Sequence, residues 1–411
     1  MPVSIRPARI ALVLVAGILL VPFLAKGDSV TDWNQKACDI IVAAKLSAPG
    51  AVVVLALTQT AVYEAANAVT KRYPSTASPL TAPKGASVDA AIAAANRAVL
   101  TKTVPSQQAA IESAYQAALA SIPEGKAKSD GIAVGEKAAL AVLALRSNDA
   151  ASKPESYRPV TSPGVYVTTV STVGSQWPER KPWLMTRPDQ FRPGPPPALT
   201  SELWARDYNE IKSIGDKSGA HRTAEQTAIA RFWETTQPPI YQGIVRSAAQ
   251  ADGREVTQNA RLFASVGQAL DDSYIAVFDA KYFYNFWRPV TAIRNGDKDG
   301  NDATERDASW LPFVDTPMHP EYPCAHCILS GALATVLEAE FRGRALPTLS
   351  TTSSTADGAT RSWSKLEDFT QEVANARIYD GVHYRNSTEV GTSMGKKVGA
   401  LAVAKYPPAT R

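Results

Sequence analysis

Three short segments of the 411-residue chain concentrate the side chains that could grip an anion and move a proton. The first is Lys281-Tyr-Phe-Tyr-Asn-Phe-Trp-Arg288-Pro289. At about 100° per residue, Lys281 and Arg288 return to within roughly 20° of one helix face, about 10 Å apart along it. Pro289 pushes Arg288 out of helical geometry and is expected to end the helix there, turning the guanidinium inward. A solvated or snorkelling basic stripe is the other reading of this piece by itself.

The second segment is His319-Pro-Glu-Tyr-Pro323-Cys324-Ala325-His326-Cys327, which runs straight into the helix-forming Ile328 to Phe341. Pro323 suits a first helical turn. The backbone N–H groups of Cys324, Ala325 and His326 would then point outward together, an anion site reinforced by the helix dipole. A capped helix with a core histidine is the alternative. Cys324 and Cys327 also invite a zinc reading, for which no second pair of ligands exists. A redox dithiol is favoured by the helix N-terminus but lacks a surrounding strand-helix-strand pattern. The third segment, Arg377-Ile-Tyr-Asp-Gly381-Val-His383-Tyr-Arg-Asn-Ser387, puts an arginine on a last helical turn and a histidine just past a glycine break. A histidine held there can act as a nucleophile, or simply bond to backbone. Ser387 reads as the N-cap of a final helix from Thr388 to Lys405.

These elements need a scaffold, and the periodicity makes it all-α. From Trp33 to Asn148, apolar residues recur at helical spacing with breaks at Pro49, Pro74, Pro83, Pro105 and Pro123, which predicts about five helices. Residues 151–200 are proline-rich and irregular, and Trp177, Trp183, Leu184 and Phe191 predict that this stretch packs on the body. Helical signals resume for 201–411, with capping-box spacings at Thr223/Gln226 and Ser364/Glu367. Only Val165 to Val170 alternates like a short strand. The domain reading is therefore 1–27 leader, 28–150 helical region, 151–200 irregular segment and 201–411 helical bundle bearing the chemistry.

With 45% apolar residues and a net charge of +4, the composition is globular and makes no electrostatic case for nucleic acid. Arg6 and Arg9, the apolar run Ile10 to Ala25 and Ala25-Lys26-Gly27 have the build of a secretory signal, predicting export to a periplasm or beyond. An uncleaved anchor is the alternative; no later stretch reads as long and apolar enough to span a membrane. Three cysteines do not make a disulfide scaffold. Asn295-Gly-Asp297-Lys-Asp299-Gly300 opens like a calcium loop, but its twelfth position is Arg306, so a plain acidic turn is favoured. His221 and His319 are left as structural or rim residues.

Together the three segments resemble the superfamily that joins vanadium-dependent haloperoxidases with type 2 phosphatidic acid phosphatases and bacterial acid phosphatases. The resemblance lies in Lys281 and Arg288-Pro289, then Pro323-x-x-His326, then Arg377, five residues and His383. Asp189-Gln-Phe-Arg-Pro-Gly-Pro-Pro-Pro and Arg222-Thr-Ala-Glu-Gln-Thr look like the bacterial haloperoxidase branch, extending the likeness over most of the chain. The resemblance implies that Lys281, Arg288 and Arg377, with backbone N–H near Cys324 and Ala325, hold vanadate or phosphate. It implies that His383 bonds directly to vanadium or phosphorus and that His326 is the acid-base partner. Peroxide and halide, or a phosphate ester, would be the substrates; the further alternative is a non-catalytic exported oxyanion-binding protein. Cys324 and Ala325 depart from the usual Ser and Gly. Ser387 replaces the usual Asp four residues after the histidine, leaving Glu389 or Asp380 as sources of the carboxylate expected to orient one of the histidines.

Overall fold

In a computed structural model, residues 27–76, 79–147, 149 and 153–408 are described, and the leader expected at 1–27 lies outside them but for Gly27. Among the described residues the regular structure is helical, apart from one small hairpin. Five helices come first: α1 (Ser29–Ala43), α2 (Ala48–Thr70), α3 (Val88–Thr103), α4 (Gln108–Ala120) and α5 (Lys126–Leu145). Ser47 and Ser87 cap α2 and α3 by accepting N–H bonds from Gly50 and Ala90, which satisfies donors a helix start leaves unpaired. Then follow α6 (Glu202–Ile214), α7 (Ala224–Trp233), α8 (Pro239–Ala249), α9 (Val256–Tyr284), α10 (Pro289–Arg294), α11 (Ala325–Glu340), α12 (Leu366–Tyr379) and α13 (Arg385–Lys405).

Several sequence expectations are corrected. The capping box at Thr223 and Gln226 is present, but Ser364 does not cap α12, whose N-cap is Lys365. Val165 makes an isolated bridge to Phe286 and no strand, whereas Leu349–Thr352 pairs antiparallel with Thr360–Trp363. Those strands are rich in Ser and Thr and lack the apolar alternation that reveals strands in sequence. Helix α2, at 23 residues, is long and apolar enough to cross a membrane by length and composition, contrary to the sequence reading; it is largely buried inside the protein, against α3, α5 and α9.

Helix α9 is the spine. It packs on α2, α11 and α13, and its acidic residues anchor the irregular segment that precedes α6. Asp272 accepts the backbone N–H of Trp183, Leu184 and Met185 at 2.7, 2.8 and 2.9 Å. Asp271 takes the Trp183 indole N–H and pairs with buried Arg180, and Asp279 takes Arg192. An irregular chain that cannot satisfy its own backbone is thus bonded from a helix.

Helices α11 and α13 pack together more extensively than any other pair, because glycines let their backbones close up. A Cβ at Gly395 would lie 2.2 Å from Ile328 O and 2.8 Å from Ala332 N, both backbone atoms. Gly395→Ala is therefore expected to destabilise the protein by about 1–3 kcal/mol through overpacking. Thermal melting checks this; an unchanged Tm would show that the helix pair has slack.

Candidate active site

Each functional segment is positioned by an element end. Helix α9 ends at Tyr284, with Asn285 left-handed at φ 51°, so the helix stops four residues before the point predicted from Pro289. Lys281 and Arg288 do not share a helix face. Instead, Phe286 and Trp287 run extended beside Val165, with Tyr166 N–H on Asn285 O at 2.8 Å and Trp287 N–H on Gly164 O at 3.0 Å. Arg288 is the N-cap of α10 in extended conformation. Behind this strand-like stretch lies a buried aromatic cluster of Trp204, Tyr208, Phe286, Trp287, Trp310, Tyr322 and Tyr384.

Arg288 is fully buried and stitches two loops together. Its Nε donates to His319 O at 2.9 Å and its Nη1 to Val382 O at 2.8 Å. Nη1 also lies 3.3 Å from His383 Nε2, and Nη2 lies 3.0 Å from His319 Nδ1. Because guanidinium only donates, His319 Nδ1 must be an acceptor, so the 3.2 Å approach of Pro320 O to the same nitrogen is not a hydrogen bond. Lys281, also fully buried, donates to Pro320 O at 2.9 Å and Glu321 O at 2.8 Å. One ammonium proton is left over.

His383 sits in the α12–α13 turn. Gly381, at φ 78°, reverses the chain there, and any Cβ would strike Gly215 O at 2.4 Å. His383 Nδ1 lies 2.7 Å from Glu321 Oε1, which also accepts the Tyr384 N–H at 3.1 Å. Ser387 Oγ lies 3.4 Å from the same Nδ1. The short carboxylate contact holds the proton on Nδ1 and leaves Nε2 with its lone pair, a tautomer assigned from its partners.

Glu321 is the residue that sequence reasoning missed. The carboxylate sought from Glu389 or Asp380 comes from the anion loop itself. Glu389 is exposed, and Asp380 is 2.6 Å from Arg377 Nη1, an ion pair without a well-angled hydrogen bond. The only available signal was that Glu321 is the one acid in the His319–His326 stretch. Ser387 does not cap the last helix either: α13 begins at Arg385 with Tyr384 as N-cap, which puts Ser387 in the first turn.

The loop before α11 differs from expectation in two details. Pro323 precedes the N-cap, which is Cys324, and the Cys324 N–H is not directed at a ligand but donates to Ser387 O at 3.1 Å. Cys324 Sγ accepts the Cys327 N–H at 3.3 Å. Ala325 and His326, the first two residues of the helix, supply the N–H groups that lack an intrahelical partner. His326 places Nε2 3.1 Å from Thr235 O, so Nε2 carries the hydrogen and Nδ1 is left as acceptor. Arg377 Nη1 donates to Trp233 O at 2.7 Å, and its buried Nε has no partner.

Electrostatics tie these groups into one site. Burial, reinforced by Arg288, pushes the Lys281 ammonium well below its usual range, and burial lowers Arg288 to about 10. His383 is pushed down by burial and then by Arg288, Lys281 and Arg377; His326 by burial and then by Arg377. Glu321 and Asp380 are each raised to about 7 by burial, against the pull of the neighbouring cations. Three buried cations face two carboxylates, a positive excess that an anion would relieve. Two cavities flank the site. One of about 250 Å³ is walled by Tyr274, Phe278, Met318, His319 and His326, and one of about 630 Å³ reaches Arg377.

Residues 261–408, which hold Lys281, Arg288, His319, Glu321, His326, Arg377 and His383, match the family model of the VCPO second helical-bundle domain. The chain is similar to the vanadium haloperoxidases, with the family model covering its residues 261–408. It is 26% identical over 190 residues to the vanadium chloroperoxidase of Curvularia inaequalis, a match covering 39% of this chain and only 31% of that protein. The crystal structure of a bacterial vanadium-dependent iodoperoxidase superposes with TM-score 0.78 and 25% identity, over 92% of this chain and 96% of that one. An apo-type bacterial vanadium-dependent chloroperoxidase superposes with TM-score 0.73 and 17% identity, over 86% and 93%. The mostly helical fold matches that of the vanadium haloperoxidases. The Asn295–Gly300 turn has its own structural work: Asp299 accepts the Trp204 indole N–H at 2.8 Å and the Thr304 hydroxyl at 2.7 Å, and Asp297 lies 3.6 Å from Arg306. His221 is an exposed surface residue, whereas His319 is bonded to Arg288.

Proposed function

We propose that the chain is a vanadate-dependent haloperoxidase that oxidises halide with hydrogen peroxide, with His383 as the ligand to vanadium. The observation that carries this reading is the His383 imidazole, whose Nδ1 is held by Glu321 while the unprotonated Nε2 lies 3.3 Å from buried Arg288 Nη1. A tetrahedral oxyanion fits the residues present: the unpartnered Arg377 Nε, the remaining Lys281 proton, the Ala325 and His326 N–H groups and the positive excess are donors and charge awaiting an acceptor. Vanadate bound there would supply an electrophilic centre that activates peroxide for the two-electron oxidation of a halide. Lys281, Arg288 and Arg377 would hold its oxygens and stabilise the charge that grows during transfer. His326, anchored through Nε2–H on Thr235, has Nδ1 to take or return a proton. The largely apolar walls of the smaller cavity favour small, weakly hydrated reactants over water. The likeness to the bacterial iodoperoxidase across nearly both chains supports the peroxidase branch over a phosphatase acting through phosphohistidine. The basic and apolar opening of the sequence supports export.

The test is direct. Purified protein loaded with orthovanadate is expected to oxidise iodide or bromide in a peroxide-dependent manner and to release no phosphate from a generic phosphomonoester. Hydrolysis inhibited by vanadate, without halide oxidation, would replace this reading with the phosphatase one. Orthovanadate and inorganic phosphate are each expected to raise Tm, since ligand at 100 times its Kd stabilises by about 2.7 kcal/mol. No shift with either anion would remove the oxyanion site altogether.

A further inference from the structure

The pair Cys324 and Cys327 has no part in the chemistry above, yet it is built like a reactive dithiol. Cys324 is the N-cap and Cys327 the third residue of α11, a 16-residue helix, and Cys327 N–H points at Cys324 Sγ. The two cysteines form a small buried cluster with Ala374, and each thiol perturbs the ionisation of the other. Helix geometry separates such residues by roughly 5–6 Å between Cα atoms, inside the range a disulfide spans. We propose that Cys324 and Cys327 are a modification site that hydrogen peroxide converts to an intrahelical disulfide, reversibly weakening the neighbouring anion site.

Burial opposes ionisation of Cys324, but the bonds from Cys327 and the cations Arg377 and Lys281 outweigh it, holding this thiol below its ordinary range while Cys327 is raised by burial. That polarity assigns Cys324 as attacking sulfur and Cys327 as resolving sulfur. Cys324 Sγ attacks one peroxide oxygen, the O–O bond breaks, and the departing hydroxide leaves as water with the thiol proton. Cys327 Sγ then displaces the hydroxyl from the sulfenic sulfur, and its proton leaves with that hydroxyl as a second water. Two thiols lose two electrons and one peroxide becomes two waters. A water-sized oxidant has short approaches: Ala325 lines the 250 Å³ cavity, and Ala374 lines a groove of about 280 Å³ between α12 and α13. Drawing the two sulfurs into a bond shifts the first turn of α11, which carries the Ala325 and His326 N–H donors. The third cysteine, Cys38, is an internal control: it is buried elsewhere beside Arg246, with its thiol pushed up to about 11 by burial.

The inference rests on the proposed function only for the natural source of peroxide, and its readout needs no halide oxidation. Reduced, vanadate-free protein is treated with a small excess of hydrogen peroxide, quenched by alkylation under denaturing conditions and peptide-mapped without reduction. The expected product is a Cys324–Cys327 peptide lighter by two hydrogens, with Cys38 still alkylatable, and with the Tm shift given by inorganic phosphate reduced in the oxidised protein and restored by dithiothreitol. Cys327→Ser, or Cys327→Ala should the first fold poorly, is expected to stop at a sulfenic acid on Cys324 that dimedone captures. Both thiols remaining alkylatable, Cys38 reacting as fast, or a disulfide that leaves the phosphate response unchanged would overturn the proposal. A disulfide formed in protein inactive with halide would overturn only the peroxidase reading.

Discussion

His383→Ala is expected to lower peroxide-dependent halide oxidation by about a hundred- to a thousandfold, while the protein still melts cooperatively. The imidazole supplies the single direct bond from protein to the oxyanion centre in the proposed reaction. Removing one preorganised group that acts at the reacting atom costs about 3–4 kcal/mol, a factor of roughly 10²–10³. The cations do not depend on His383 for their places, because Arg288 is held by His319 O and Val382 O, and Lys281 by two loop carbonyls. Phosphate should therefore still raise Tm in the variant, though less than in the parent. Steady-state kinetics with saturating vanadate and a thermal shift with phosphate check the two halves. Undiminished halide oxidation would remove His383 from the mechanism, and loss of both responses with a lowered Tm would mark it as a structural residue.

Glu321→Gln is expected to reduce kcat about 10–100-fold and leave phosphate binding as tight as before or tighter. A carboxylate behind a ligating histidine fixes its tautomer and raises its basicity, and its loss elsewhere costs activity by that factor. Here the glutamine carbonyl can still accept from Nδ1 and from Tyr384 N–H, so geometry is largely kept, but the negative charge is gone. The site then holds three cations against Asp380 alone, which favours a bound anion even as the imidazole becomes a poorer donor. This opposition separates a positioning role from a merely structural one. If Glu321→Gln loses phosphate binding and activity together, the carboxylate holds up the loop and does not tune His383.

How far the site was legible depends on where each contact originates. Lys281, Arg288, His326, Arg377 and His383 could be picked out as candidates because each lies in a short motif of fixed internal spacing. Gly381 announced its turn, since a left-handed position at a helix end selects glycine. Glu321 could not be assigned, although it lies within the same motif as His326. Its partner is 62 residues away, and nothing local distinguishes a carboxylate that reaches across a loop from one in solvent. The predicted common face for Lys281 and Arg288 failed for a related reason. Pro289 limits where a helix must end, but the earlier stop at Tyr284 follows from pairing of Phe286 with Val165, a contact between distant segments.

The helical architecture and the candidate cationic and imidazole side chains were readable from local sequence, because apolar periodicity, prolines and capping residues act within a few positions of the chain. Long-range packing set which carboxylate orients His383, which backbone N–H groups stay unpaired at the start of α11, and how the irregular segment is tied to α9 through Asp271, Asp272 and Asp279. Those choices concern buried polar groups, each of which must find a partner once water is excluded, and the partner is set by which segments the packed helices bring within about 3 Å.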